Sequence, residues 1–246
     1  MTTLTSAPQS VITRLIGPPR TPGDQDRQTV RLLRLGVGVI GTTLPLALIA
    51  GNWILGDKVI VPASMSGSYY TSTRNLFVGS LCALGVFLIG YRHTERQNRC
   101  TWFAGLCALV VAFAPTAPPA PRTAPAWIGY LHLSSAGALI FTLGVFCWVV
   151  FTGYALPARS PSASAVQRFR AWLASLRNAF NAGPLCRLYF ACGLLVFVSG
   201  ALGVCTGVWP AEWSTGWSSL YLFEAIAVVA FGVAWITAGL TNNSQD

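Results

Sequence analysis

Charge is what this chain has least of. Asp, Glu, Lys and Arg make up 9% of its 246 residues, while 53% are apolar; an ordinary soluble domain carries about a quarter charged residues. That scarcity excludes a typical soluble domain and points to a bilayer. Lysine is nearly missing, with Lys58 alone beside fifteen arginines, and there are seven acids in all. Histidine is limited to His93 and His132, too few for a three-His zinc centre or an HExxH helix. No GxGxxG turn, P-loop or GxSxG elbow occurs, so no cofactor is implied and no metal site is expected. Seven cysteines, an odd number without a close CxxC pair, argue against a disulfide framework or zinc knuckle.

What is present in abundance is apolar sequence in long runs. A membrane-spanning helix needs roughly 20 mostly apolar residues, and six runs qualify within a transmembrane domain at 32–240: 32–55, 75–91, 101–115, 127–154, 185–209 and 218–240. The third, the shortest, spans only with local thinning or snorkelling at its ends. The first follows a polar tail and exceeds the 7–15 residues typical of a signal-peptide core, so it is read as a retained span.

Arginine placement gives the orientation, because cytoplasmic loops are enriched in basic residues. Arg14, Arg20, Arg27, Arg31 and Arg34 lie before or at the opening of the first span, Arg92, Arg96 and Arg99 in the second loop, and Arg159, Arg168, Arg170, Arg177 and Arg187 in or beside the fourth. Lys58 and Arg74 in the first loop and Arg122 in the third are the remainder. Thirteen basic groups against three, alternating strictly with the six spans, predict that both termini are cytoplasmic. The net charge of +9 therefore reports topology and contact with anionic lipid headgroups at the cytoplasmic face. A nucleic-acid partner would need these charges gathered on a soluble face and is not expected.

Between the spans, residues 1–31 read as a flexible cytoplasmic tail, 241–246 as a short cytoplasmic tail, and the Pro118, Pro119, Pro121, Pro125 run as a stiff external connector. In the fourth loop, Val166, Phe169, Trp172, Leu173, Leu176 and Phe180 recur at helical spacing, with Arg168, Arg170 and Arg177 at the edges. That pattern predicts a cytoplasmic interfacial amphipathic helix at 165–180, between spans 4 and 5; a docking site for a cytoplasmic partner is the alternative.

Glu224 is the one acid inside an expected span, and an ionisable residue at membrane depth is a functional-site hypothesis by default. His132 enters the fourth span at about the same depth from the outer face. Arg74 and Asn75 open the second span, directly after the hydroxyl-rich stretch that holds Ser68 and Tyr70. Topology alone places these six in one outer-leaflet layer. The expectation is a polar pocket in which Arg74, Asn75 or His132 partners Glu224, with Ser68 and Tyr70 lining it. The bland alternative is that Glu224 and His132 only hydrogen-bond neighbouring helices and that the hydroxyl stretch is a solvated loop.

The stretch Tyr69-Tyr70-Thr71-Ser72-Thr73-Arg74-Asn75-Leu76-Phe77-Val78-Gly79, the later Ala112-Phe113-Ala114-Pro115-Thr116, the His132 turn and Phe223-Glu224-Ala225 carry a resemblance. The chain resembles uncharacterised multi-pass bacterial membrane proteins and is distantly similar to the superfamily of alkaline ceramidases and progestin/adiponectin-type receptors. That superfamily holds zinc with a Ser, an Asp and three His for lipid-amide hydrolysis. Ser68 and His132 match in kind, whereas Asn75 stands where the Asp would be and the other histidines are missing.

The resulting expectation is an all-α integral membrane protein of a bacterial plasma membrane, a six-helix transmembrane bundle with both termini inside. Its expected role is lipid binding, assembly or sensing through the outer-leaflet pocket. A membrane-embedded enzyme acting on a lipid or isoprenoid, with Glu224 and His132 as general acid or base, is the alternative, and a proton-coupled transporter the third. Membrane lipids are the expected partners, and faces of small residues such as Gly200, Gly203 and Gly207 leave room for a homo-oligomer.

Overall fold

The computed structural model describes residues 22–116, 125–151, 183–206 and 219–241, together with 164, 166, 167, 170 and 174. Among them are six long helices and no strand: α1 (Pro22–Ile54), α2 (Arg74–Gly90), α3 (Glu95–Phe113), α4 (Ala126–Val145), α5 (Pro184–Thr206) and α6 (Ser219–Thr241). A 3-10 turn at Ser66–Tyr70 precedes α2, and a π-helical turn at Phe146–Val150 continues α4. Four of the six, α1, α4, α5 and α6, are long and apolar enough to cross a membrane. The apolar helix α2 has 17 residues, and α3 opens on the polar run Glu95-Arg96-Gln97-Asn98-Arg99, which shortens its apolar part.

Local chemistry sets the helix ends. Thr94 caps α3 by accepting from the Gln97 N–H at 3.4 Å, three residues on, as a Ser/Thr N-cap does. Arg99 pairs with Glu95 one turn earlier at 2.8 Å. Pro184 opens α5, where its missing N–H would have no helical acceptor.

Each helix packs on its neighbours in sequence, and α1 closes against α6, so the six form a ring. Neighbours run in opposite directions. Arg34, early in α1, meets Tyr91 after α2 and Ala238 late in α6, while Asn52, late in α1, meets Thr73 just before α2. Tyr189, early in α5, likewise meets Thr241 at the end of α6.

Glycines bring the α1 and α6 backbones into contact. A Cβ built at Gly232 would lie 2.6 Å from the Thr42 nitrogen and 2.7 Å from the Gly38 carbonyl oxygen, closer than any side chain can sit. Gly105 of α3 repeats the device against α2, 2.7 Å from the Gly85 oxygen. Two apolar clusters fill the ring. One lies toward the arginine-rich end, around Leu88, Tyr91, Phe146, Phe231 and Trp235; the other lies toward the opposite end, around Leu48, Met65, Phe77, Val111 and Tyr221. Large apolar side chains also cover the outside, among them Leu46, Trp53, Phe113, Leu133, Phe141 and Val204, more than a soluble monomer leaves in water.

Several boundaries differ from the sequence reading. Helix α1 begins at Pro22, so the last ten residues of the expected flexible tail are helical. The 165–180 amphipathic helix lies largely outside the described residues, as do Pro118, Pro119 and Pro121 of the connector and residues 242–246.

Candidate functional site

The end of the ring opposite the arginines is closed by the chain between α1 and α2. Asn52, fully buried, donates from Nδ2 to the Ile60 carbonyl at 3.2 Å and accepts from Thr73 Oγ1 at 2.8 Å. It thus ties the last turn of α1 to both ends of the following loop. Asp57 accepts from the Ser72 N–H at 2.7 Å and the Val59 N–H at 3.2 Å. These backbone donors favour the ionised carboxylate and hold its pKa below the usual 3.8.

Between these ties the chain turns inward. Met65 is buried in the cluster that includes Leu44 and Leu48 of α1, Phe77 of α2, Val111 of α3 and Tyr221 of α6, so it plugs the mouth of the ring. Its backbone N–H donates to Glu224 Oε2 at 2.5 Å. The segment then continues as the 3-10 turn, and the Tyr70 hydroxyl donates to the Thr116 carbonyl, just past α3, at 2.6 Å. Residues 64–70 are therefore a strap, fixed at one end to α6 and at the other to the exit of α3. One turn before Glu224, the Tyr221 hydroxyl donates to the Pro45 carbonyl at 2.6 Å and fixes α6 against α1 beneath the strap.

Ser68 sits in the strap with no exposed surface, and its Oγ has no hydrogen-bond partner. His132, on the first turns of α4, is also buried. Its Nδ1 lies 2.7 Å from the Ala114 carbonyl oxygen, two residues before the Thr116 carbonyl that anchors Tyr70. A carbonyl only accepts, so Nδ1 carries the proton and Nε2 of the neutral ring is an acceptor. That Nε2 is buried and has no hydrogen-bond partner within 3.5 Å, with the Val111 carbonyl also beside the ring. An unpaired buried polar atom costs about 1–3 kcal/mol, and this end of the ring holds two.

The six expected site residues are thus partly gathered. Glu224, Ser68 and Tyr70 belong to one strap-and-helix unit, and His132 hangs from the carbonyl run at the exit of α3 that also holds Tyr70. Arg74 and Asn75 stand apart, exposed at the start of α2. The Arg74 guanidinium rests 4.2 Å from the centre of the Tyr69 ring and donates to its hydroxyl at 2.7 Å. The expected charge partner of Glu224 is replaced by a backbone N–H, and among the described residues the one ion pair is Arg99–Glu95. Among the described residues no three His, Cys, Asp or Glu side chains converge as the zinc set suggested by the resemblance would need.

The arginine-rich end holds a feature that sequence counting missed. Arg34 is 3% exposed, a buried cation where a flanking charge was expected. It donates from Nε and Nη2 to the Tyr91 hydroxyl at 3.1 and 2.7 Å, and from Nη1 to the Ala238 carbonyl at 3.4 Å. The Tyr91 hydroxyl in turn donates to Gln97 Oε1 at 3.1 Å. The guanidinium also lies over the rings of Tyr91 and Phe151, 5.5 and 5.9 Å from their centres. Asn52 and Asp57 were likewise missed; an Asn inside an apolar run and an acid just past its end were the available signals.

No protein family, no curated protein and no solved structure matches the chain.

Proposed function

We propose that this chain is a six-span integral membrane protein with both termini cytoplasmic, whose outer end binds the polar head of a membrane lipid. Four helices long and apolar enough to span support the membrane setting. The up-and-down ring supports extending the count to α2 and α3, since antiparallel neighbours of a spanning helix share its depth. Arginine placement supports the orientation, and with it a bacterial plasma membrane whose anionic headgroups meet the basic loops.

The observation that carries the lipid reading is the pair of orphaned buried atoms, Ser68 Oγ and His132 Nε2, at the end where the strap meets Glu224. All three offer acceptor capacity: a carboxylate oxygen, an imidazole lone pair and a hydroxyl. A ligand that supplies hydroxyl or ammonium donors complements them, and the headgroups of the outer leaflet carry such donors at that depth. The ring's apolar exterior receives acyl chains without further provision. Mass spectrometry of lipids co-purified with the full chain tests the reading. A retained lipid with a donor-bearing head, reduced severalfold in Ser68→Ala and His132→Phe variants that stay folded, is the expected result. Equal retention by wild type and both variants refutes it.

A further inference from the structure

The buried guanidinium of Arg34 has no anionic partner among the described residues. An arginine has five N–H donors; Arg34 uses three, two on the Tyr91 hydroxyl and one on Ala238. Among the described residues no carboxylate lies within ion-pair distance. A charge withdrawn from water is costly unless paired and fully hydrogen-bonded. Beside it, Trp235 is completely buried and its indole N–H has no acceptor. Arg34 and Trp235 share one aromatic shell. The Trp235 ring is 5.4 Å from Tyr91 and 5.5 Å from Phe151, the same two rings over which the guanidinium lies. Two kinds of buried donor, the spare Arg34 N–H groups and the Trp235 indole N–H, thus neighbour the same two rings.

Two further observations bear on it. The shell is built on the π-helical turn Phe146–Val150, a rare conformation that recurs at functional sites. Arg31, one turn earlier on α1 and exposed, reaches the Gly239 carbonyl at 3.1 Å, so a second guanidinium stands on the solvent side of the buried one. The Arg34 contact to Ala238, the longest of its three, is the one an incoming oxygen can replace.

We propose that Arg34 and Trp235, with Arg31 at the entrance, form a binding site for a phosphate group at the cytoplasmic end of the ring, separate from the outer lipid site. A phosphate offers oxygens enough to take the spare Arg34 donors and the indole N–H together, and arginine matches its geometry. A phospholipid headgroup and free phosphate share this chemistry.

The test uses the full chain in phosphatidylcholine nanodiscs, titrated in one arm with phosphatidylglycerol and in the other with inorganic phosphate, with bound ligand read by native mass spectrometry. Trp235→Phe removes the indole N–H together with the five-membered part of a fully buried ring, so it costs some stability, and binding is compared at a temperature where the variant is folded by its thermal midpoint. The expected result is saturable binding in at least one arm, weakened about tenfold by Trp235→Phe and weakened further by Arg34→Lys. Binding in the lipid arm alone identifies a headgroup site, and binding in the phosphate arm identifies a soluble anion. If Trp235→Phe binds as wild type does while Arg31→Gln weakens binding, attraction is confined to surface charge and the proposal fails. Absence of binding in both arms also refutes it.

Discussion

The Glu224 carboxylate and the Met65 backbone N–H meet at 2.5 Å across 159 positions of sequence, and that bond seats the strap in the mouth of the helical ring. A buried side-chain oxygen on a backbone donor contributes about 0.5–1.5 kcal/mol. Glu224→Ala is expected to loosen residues 64–70 selectively. Hydrogen exchange by mass spectrometry checks this: faster exchange in the strap with little change in α2–α5, and an intermediate effect for Glu224→Gln, which keeps an acceptor oxygen.

The α1–α6 contact makes a second prediction. Because a Cβ at Gly232 would fall 2.6 Å from the Thr42 nitrogen, the two backbones must separate to admit even a methyl group. Gly232→Ala is expected to cost about 1–3 kcal/mol and Gly232→Val more. Ala at Gly79, which has open space around it, is the control. Thermal unfolding in detergent, followed by size-exclusion chromatography, separates the two cases.

Asn52 and Thr73 form a buried polar pair at 2.8 Å. Thr73→Val preserves shape but strands the Asn52 amide oxygen, for an expected loss of about 1–3 kcal/mol. Asn52→Ala strands the Ile60 carbonyl, leaves the Thr73 hydroxyl only Thr71 Oγ1 at 3.0 Å, opens a cavity at a fully buried position and is expected to lose more. The same unfolding measurement ranks the two.

Asp57 predicts a pH dependence confined to the loop. Its folded pKa lies below 3.8 because the Ser72 and Val59 N–H groups favour the carboxylate. The stabilisation is therefore present above 3.8 and is lost as pH falls through the lower, folded value. An NMR titration of the Asp57 carboxyl in nanodiscs should give a midpoint below 3.8, and the Ser72 amide should shift with it. Asp57→Asn should abolish the shift.

The helices were legible because spanning segments need unbroken apolar runs: the runs ending at Leu55 and Tyr91 stop within a residue of the ends of α1 and α2, although α1 starts ten residues before its run. The strap was not legible. What holds Met65 to Glu224 is a backbone N–H, which every residue but proline carries, so no side-chain pattern announces it. Arg74 looked like the natural partner of Glu224 by charge and depth, yet Tyr69, five residues earlier, offers it a ring and a hydroxyl at the surface, with no desolvation of the guanidinium. Arg34 was misread for a related reason. Counted along the chain it resembles a flanking charge, but α1 starts at Pro22, which puts Arg34 about 18 Å into the helix at 1.5 Å per residue. Only the return of α2 and α6 to that depth shows that it is enclosed.

Orientation has its own check. With the termini inside, a cysteine at Thr123→Cys should react with an impermeant thiol reagent added outside intact cells and be silent to one confined inside. The reverse pattern would invert the ring and exchange the leaflets of both proposed sites.

The central claim, that the strap end holds a lipid head through Ser68, His132 and Glu224, is tested most directly by native mass spectrometry of the full chain released from its membrane. The account predicts a bound lipid whose headgroup carries hydroxyl or ammonium donors, retained by wild type and by Arg74→Gln but lost from a folded Ser68→Ala/His132→Phe double variant. Retention of the same lipid by that double variant, or a lipid-free wild-type protein, would contradict it.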